Sequence, residues 1–315
     1  MKQTIFVIGE CMIELQREGA GLAYRFGGDT LNTAVYLARE IEEMREATRD
    51  TAYFDVAYVS ALGNDSLSDE MCHGWQQEGI VTEWVQRLPD KLPGIYMIET
   101  DASGERRFHY WRNDSAARYW LQGPRAQEVR VALTAAPYVY LSGISLAILC
   151  APHRELLFEI LFECRRRGGK IIFDNNYRPR LWPDKALALE AYGRMLELAD
   201  TALLTVDDEV ALYGASEDAN VDDTAAAIAR AQACGVREVV VKRGAASCIV
   251  QIGSDRIEVA PQPVANVVDT TAAGDSFGAA YLAARLAGKS VAQAAAAGHA
   301  LAGRVIGYRG AIIPR

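Results

Sequence analysis

Chemistry is concentrated first in Asp269-Thr270-Thr271-Ala272-Ala273-Gly274-Asp275, which follows strand-like Val267-Val268 and precedes a helical stripe of Phe277, Ala280, Tyr281 and Ala284. Small residues at 272–274 let backbone N–H groups at a helix start approach an anion, and the helix dipole favours negative charge there. Asp275 then has two readings. It, or Ser276, caps the helix, or it is a general base that takes a proton from a hydroxyl about to attack phosphorus. Spacing leaves both open.

Other groups pair with that chemistry. Gly27-Gly28-Asp29-Thr30-Leu31-Asn32 can turn closely around a polyol and offer Asp29 and Asn32 to its hydroxyls, or it is a glycine turn with an Asp cap. In His109-Tyr110-Trp111-Arg112, strand alternation puts Tyr110 and Arg112 on one face and His109 and Trp111 on the other, so that one pair lines a pocket while the other packs. A guanidinium suits a carboxylate, although a solvated strand edge fits the same string. Phe173-Asp174-Asn175-Asn176-Tyr177-Arg178 follows a strand, where ligands gather in open α/β sheets, so Arg178 is a second carboxylate candidate. Arg165-Arg166-Arg167 ends a helical pattern before Gly168-Gly169, where cations complement the dipole in water.

The elements that must position these groups alternate. Stretches 5–9, 56–63, 138–143, 170–174, 201–205 and 238–242 read as buried strands, and amphipathic stretches such as Leu31, Ala34, Val35, Ala38 and Ile41 lie between them. That order predicts an α/β fold with a mostly parallel sheet covered on both faces. Residues 11–26 and roughly 92–113 break the pattern and read as a small antiparallel excursion, a lid, with a turn at 101–104. The charged stretch 45–52 reads as a solvated loop.

Composition narrows the partners. A net charge of -8 and a pI near 5.2 argue against nucleic acid or an anionic membrane surface. Six scattered cysteines without CxxC spacing read as reduced residues of a cytoplasmic protein. No apolar run has the length of a membrane span or the form of a signal peptide. Ala287-Gly288-Lys289-Ser290 imitates the tail of a phosphate loop but follows a helix, and Gly9-Glu10-Cys11-Met12 is not a dinucleotide fingerprint.

The strings DTTAAGDSF and GGDTLNTA closely resemble the two signature segments of the PfkB (ribokinase-like) carbohydrate kinases, with Ala272 where that family commonly has glycine. VIGECMIEL, LPGIYMIETDASGERRFHYWRND, IIFDNNYRPRLW, VVVKRGA and YRGAIIPR extend the resemblance over the whole chain, toward the branch that acts on a keto-deoxy sugar acid. The resemblance implies one domain over 1–315, built as a ribokinase-like three-layer sandwich with a β lid. It implies Asp275 as catalytic base and the amides of Ala272, Ala273, Gly274 and Asp275 as an anion hole. Gly28, Asp29 and Asn32 would meet the sugar, and Tyr96, Tyr110, Arg112 and Arg178 the keto acid. Lys242, Arg243, Gly244 and Asp269 would serve ATP, and Glu209 would organise Mg2+ through water. The implied reaction is ATP-dependent phosphorylation of 2-keto-3-deoxygluconate by a homo-oligomer paired through its lids. A kinase for another sugar, such as fructose or ribose, and a sugar-acid sensor without turnover are the alternatives.

Overall fold

Alternation along the strands decides the architecture. In β1 (Gln3–Ile8), Ile5 and Val7 join one hydrophobic core while Phe6 and Ile8 join another on the opposite side. A strand apolar on both faces has to lie inside a sheet covered twice. The computed structural model describes residues 3–18, 21–48, 54–100, 106–216 and 222–315.

The further strands are β2 (Met12–Glu18), β3 (Gly21–Gly27), β4 (Phe54–Leu62), β5 (Ile80–Val81), β6 (Val85–Arg87), β7 (Gly94–Thr100), β8 (Arg106–Trp111), β9 (Tyr138–Ser142), β10 (Lys170–Asp174), β11 (Thr201–Thr205), β12 (Glu238–Lys242), β13 (Cys248–Ile252) and β14 (Asp255–Val259). The helices are α1 (Asp29–Thr48), α2 (Ser66–Gln77), α3 (Ala126–Thr134), α4 (Gly143–Ala147), α5 (Ala151–Arg166), α6 (Lys185–Leu198), α7 (Val206–Tyr213), α8 (Asp223–Ala233), α9 (Ala273–Leu286) and α10 (Val291–Val305). The main sheet runs β14-β13-β12-β11-β10-β9-β1-β4-β5, with β6 also on β4. From β12 to β5 every pairing is parallel, and the β12–β13 and β13–β14 pairings are antiparallel.

The two cores complete three layers. Helices α1, α2, α9 and α10 cover the face of Ile5, Val7, Tyr58 and Leu203, and α3 to α8 cover the face of Phe6, Val59, Phe173 and Val241. All six strands expected from sequence are present, with ends within two residues. The six cysteines are free thiols.

Two details differ from the expectation. The lid sheet, β3-β2-β7-β8, is two antiparallel hairpins joined by a parallel pair, Met12 opposite Gly94 onward. The lid turn expected at 101–104 lies outside the described residues. The charged stretch from 45 begins as helix, since α1 continues to Thr48. Its Met44-Arg45-Glu46-Ala47 are good helix formers as well as soluble residues.

Candidate active site

Strand order reverses at β1, whose neighbours β4 and β9 both follow it in sequence but flank it on opposite sides in the sheet. A crevice opens beyond the carboxyl ends of strands at such a point. The segments singled out in the sequence leave the sheet around it.

Close packing sets the first wall. A side chain at Gly9 would strike Thr30 Oγ1 at 1.9 Å, and one at Gly28 would meet the Glu10 carbonyl oxygen at 2.2 Å, so α1 starts directly against the exit of β1. Thr30 and Thr33 hydroxyls fasten that helix to Tyr58 and Tyr140, at 3.0 and 3.3 Å. Gly9 and Gly28 therefore serve close packing of the loop against the strand exit. Asp29, in the first turn of α1, accepts from Asn176 Nδ2 at 2.5 Å.

The second wall is the start of α9. Ala272 is the cap residue and stands in the left-handed region, φ 60° and ψ 13°. That geometry explains why glycine suits the position, since a Cβ there costs roughly 1–2 kcal/mol. Among the described residues only Asn176, at φ 25°, is another non-glycine with positive φ, and it too faces the crevice through Asp29. Such strain gathers at functional sites. Among the described residues the amides of Ala272, Gly274 and Asp275 have no backbone acceptor, whereas Ala273 N donates to Thr270 O at 3.2 Å. Of the four amides expected to meet an anion, that of Ala273 is thus engaged in closing the turn.

Asp275 lies between the walls. Asn32 Nδ2 donates to its Oδ2 at 2.8 Å, which joins α1 to α9 and fixes the carboxylate. Removal from water pushes its pKa up to about 7, and the nearby Asp29 and then Asp174 carboxylates act in the same direction; Asn32 and Lys242 oppose them. A carboxylate titrating there is suited to general base work near neutral pH. It is not the helix cap, which is Ala272.

The remaining candidates divide. Lys242 Nζ, at the end of β12, pairs with buried Asp174 at 2.7 Å and lies 3.5 Å from where a Gly274 Cβ would be. A cation is therefore next to those amides. Gly244 has φ +59° with open space beside it. Arg243 turns away, bonding Ser247 and Glu258 within the β12–β14 edge. Asp269 is taken up in the loop itself, accepting from Thr271 N at 3.0 Å, Thr271 Oγ1 at 2.7 Å and Gly310 N at 3.1 Å. Glu209 is buried and accepts from Asn175 Nδ2 at 3.1 Å and Arg230 Nη1 at 2.6 Å; burial raises its pKa, with both partners opposing. Asn175, directly after β10, also donates to the Thr205 carbonyl at 3.2 Å and accepts from Thr205 N at 3.0 Å, tying β10 to the start of the 205–209 segment.

At the lid root, Arg112 is buried against Glu10, to which its Nη2 donates. Tyr96 packs beside Gly27, its hydroxyl donating to buried Glu14. Tyr110 stacks between Tyr96 and Phe108, as strand alternation requires, with ring centroids 6.0 and 6.4 Å apart. One of the pairs Tyr110/Arg112 and His109/Trp111 was expected to pack, but His109 and Trp111 are exposed with Tyr110, and among the described residues neither face of β8 is fully covered. Arg178 is half-exposed and binds Asp208 at 3.2 Å and the Tyr177 carbonyl at 2.8 Å.

Sequence reading passed over Glu10, Asp174, Asn175 and Asn176. Their signal was position: each ends a parallel strand or stands within two residues of its carboxyl end. The set aside strings behave as expected, with Gly288 ending α9, Ser290 capping α10, and Arg166 and Arg167 paired with Glu163 in solvent.

This geometry agrees with the comparisons. The family model described as pfkB family carbohydrate kinase matches residues 2–315. The chain belongs to the pfkB family. Curated relatives of this kinase include the 2-dehydro-3-deoxygluconokinases of Dickeya dadantii (strain 3937), 52% identical over 99% of this chain and 97% of that one, and of Escherichia coli K12, 52% identical over 100% and 98%. A Salmonella typhimurium fructokinase is 27% identical over 90% and 84%. Among solved structures, the Thermotoga maritima 2-dehydro-3-deoxygluconokinase aligns with TM-score 0.80 at 23% identity over 99% and 94%. An Escherichia coli protein assigned as ribokinase II, solved with ATP and Mg2+, aligns with TM-score 0.80 at 23% identity over 98% and 94%. The ribokinase-like fold of this family is therefore the fold of the chain.

No group of three or more His, Cys, Asp or Glu side chains able to hold a metal occurs among the described residues. The donor set near Asp275 is instead that of an anion site, three amides and an ammonium. It fits a nucleotide triphosphate whose own oxygens and water carry Mg2+. No helix among the described residues is long and apolar enough to cross a membrane.

Proposed function

We propose that this kinase transfers the γ-phosphoryl group of ATP to the 6-hydroxyl of 2-keto-3-deoxygluconate, releasing ADP and the 6-phosphate. The observation that carries the chemistry is Asp275, held by Asn32 with a pKa near 7 beside the amides of Ala272, Gly274 and Asp275, which have no backbone acceptor among the described residues. The substrate reading is supported by the whole-chain identity of 52% with 2-dehydro-3-deoxygluconokinases.

Asp275 takes the hydroxyl proton as O6 bonds to the γ-phosphorus and the bond to the bridging oxygen of ADP breaks. The amides of Ala272, Gly274 and Asp275, with Lys242, stabilise the charge on the transferring oxygens. Bound Mg2+ neutralises phosphate charge and orients the triphosphate. Asp29 and Asn32 hold the sugar hydroxyls, Asn32 with its buried, unpartnered Oδ1. Tyr96 and Tyr110 flank the substrate, and Arg112 and Arg178 take the carboxylate. Gly244 leaves room for the nucleotide, while Asp269 and Arg243 hold the loops that receive it and Glu209 keeps its place at the water shell of the metal.

The same reading places the protein in the cytoplasm as one kinase domain, consistent with its six free thiols. It works as a homo-oligomer, because Leu22, Tyr24, Phe108, Tyr110 and Trp111 leave an apolar lid surface exposed at 42–62%. Incubation with ATP, Mg2+ and the keto acid, followed by 31P NMR, tests the reaction. A phosphomonoester on C6 is expected, and ADP formation without sugar phosphate contradicts the reading.

A further inference from the structure

We propose that Glu10 is a positioning residue for substrate selection, holding Arg112 under the sugar loop in the orientation that receives the substrate carboxylate. This inference rests on the reading above that Arg112 meets that carboxylate.

The two residues come from distant stretches and meet at the root of the lid. Glu10 leaves β1 at the point where strand order reverses, and Arg112 directly follows β8. The Glu10 side chain is 0% exposed and that of Arg112 6%. A guanidinium alone in that place would be driven toward water, so the neighbouring carboxylate is what allows it to stay.

The pair is not saturated. Arg112 Nη2 donates to Glu10 Oε2, yet Arg112 Nε and Glu10 Oε1 have no partner. A purely structural buried ion pair is expected to use such atoms, since each unsatisfied one is costly. Here the fork is filled on one side and keeps a donor that the fold does not use. A planar carboxylate is the ligand class that such a fork recognises.

The surroundings tie the pair to the sugar loop. A Cβ at Gly94 would lie 2.7 Å from Glu10 Oε1 and 3.1 Å from Arg112 Cβ, so only glycine leaves the pair room. The Glu10 carbonyl oxygen lies 2.2 Å from where a Gly28 Cβ would be, against the loop that offers Asp29 and Asn32. Arg178 is built differently, half-exposed and held by Asp208. The buried arginine, fixed in advance, sets the angle of the acid group, and Glu10 is what fixes it.

The test is steady-state kinetics of Glu10→Gln, which keeps the shape and one acceptor while removing the charge. The expected result is a KM for 2-keto-3-deoxygluconate raised about tenfold, with kcat and the KM for ATP within about twofold of the parent. A merely structural role moves kcat and both KM values together, and that result overturns the proposal, as does an unchanged keto-acid KM. Gly94→Ala crowds the pair without removing a charge and is expected to show the same selective rise. If Glu10→Gln does not fold, an unchanged keto-acid KM in Gly94→Ala overturns the inference. Arg112→Ala separates the levels. If it raises the keto-acid KM and Glu10→Gln does not, Arg112 keeps its role and Glu10 loses the one proposed; if Arg112→Ala leaves that KM unchanged, the reading of Arg112 fails first.

Discussion

Replacing Asp275 with Asn is expected to stabilise the protein while stopping the reaction. The Asp275 pKa is raised from 3.8 to about 7. Such a shift corresponds to an upper limit on the order of 4 kcal/mol, at about 1.4 kcal/mol per unit, by which its ionisation disfavours the folded state. Partial exposure and the imperfect fit of an amide reduce the expected gain to about 1–3 kcal/mol. For a chain of 315 residues, about 2 kcal/mol moves Tm by roughly 3 °C. The sign follows from linkage. The folded-state pKa lies above the unfolded one, so protonated Asp275 costs nothing below about pH 4, and the penalty grows up to about pH 7 and is constant above it. Thermal melts of parent and Asp275→Asn from pH 4 to 8 should therefore coincide at the acid end and diverge toward neutrality, the variant melting higher. The same variant should lose a factor on the order of 10² to 10⁴ in kcat. A Tm difference that does not grow with pH, or near-parental turnover, refutes the assignment of Asp275 as a strained base.

Other expectations follow from the same geometry. The parent kcat/KM should fall about tenfold per pH unit below about 7, as the base becomes protonated, and a limb near pH 4 contradicts the account. Ala272→Gly should retain turnover and change stability by no more than about 1 kcal/mol, whereas Ala272→Val, a β-branched residue at positive φ, should lower both kcat and Tm. Lys242→Met should raise the KM for ATP and destabilise by about 3–5 kcal/mol, since it leaves Asp174 buried without its cation; melts and ATP titrations read the two effects. Arg178→Ala should raise the KM for the keto acid and leave that for ATP unchanged.

What the sequence revealed follows from how each feature is encoded. Strands buried on both faces are written as short apolar runs, so β9 to β12 were legible almost to the residue. The lid was legible as an interruption in helical periodicity, but the parallel β2–β7 pair joins residues far apart in sequence and no local pattern specifies it. Asp275 and Asn32 were visible as motif residues. Their hydrogen bond was not, because it crosses from α1 to α9 over 243 positions. Asp174, Asn175, Asn176 and Glu10 stood at strand exits and acquire meaning only when sheet order makes those exits neighbours. The unusual Ala272 becomes intelligible once its φ of 60° is known, since the backbone, not the side chain, performs the task there.

An ADP-release assay of the purified chain with ATP and Mg2+ against 2-keto-3-deoxygluconate and fructose measures both the Asp275 chemistry and the choice of substrate. Turnover with the keto acid is expected at a kcat/KM at least about 100-fold above that for fructose, as follows if buried Arg112 and half-exposed Arg178 meet the carboxylate, together with loss of that turnover in Asp275→Asn. Equal turnover of both sugars, or none with the keto acid, contradicts that expectation.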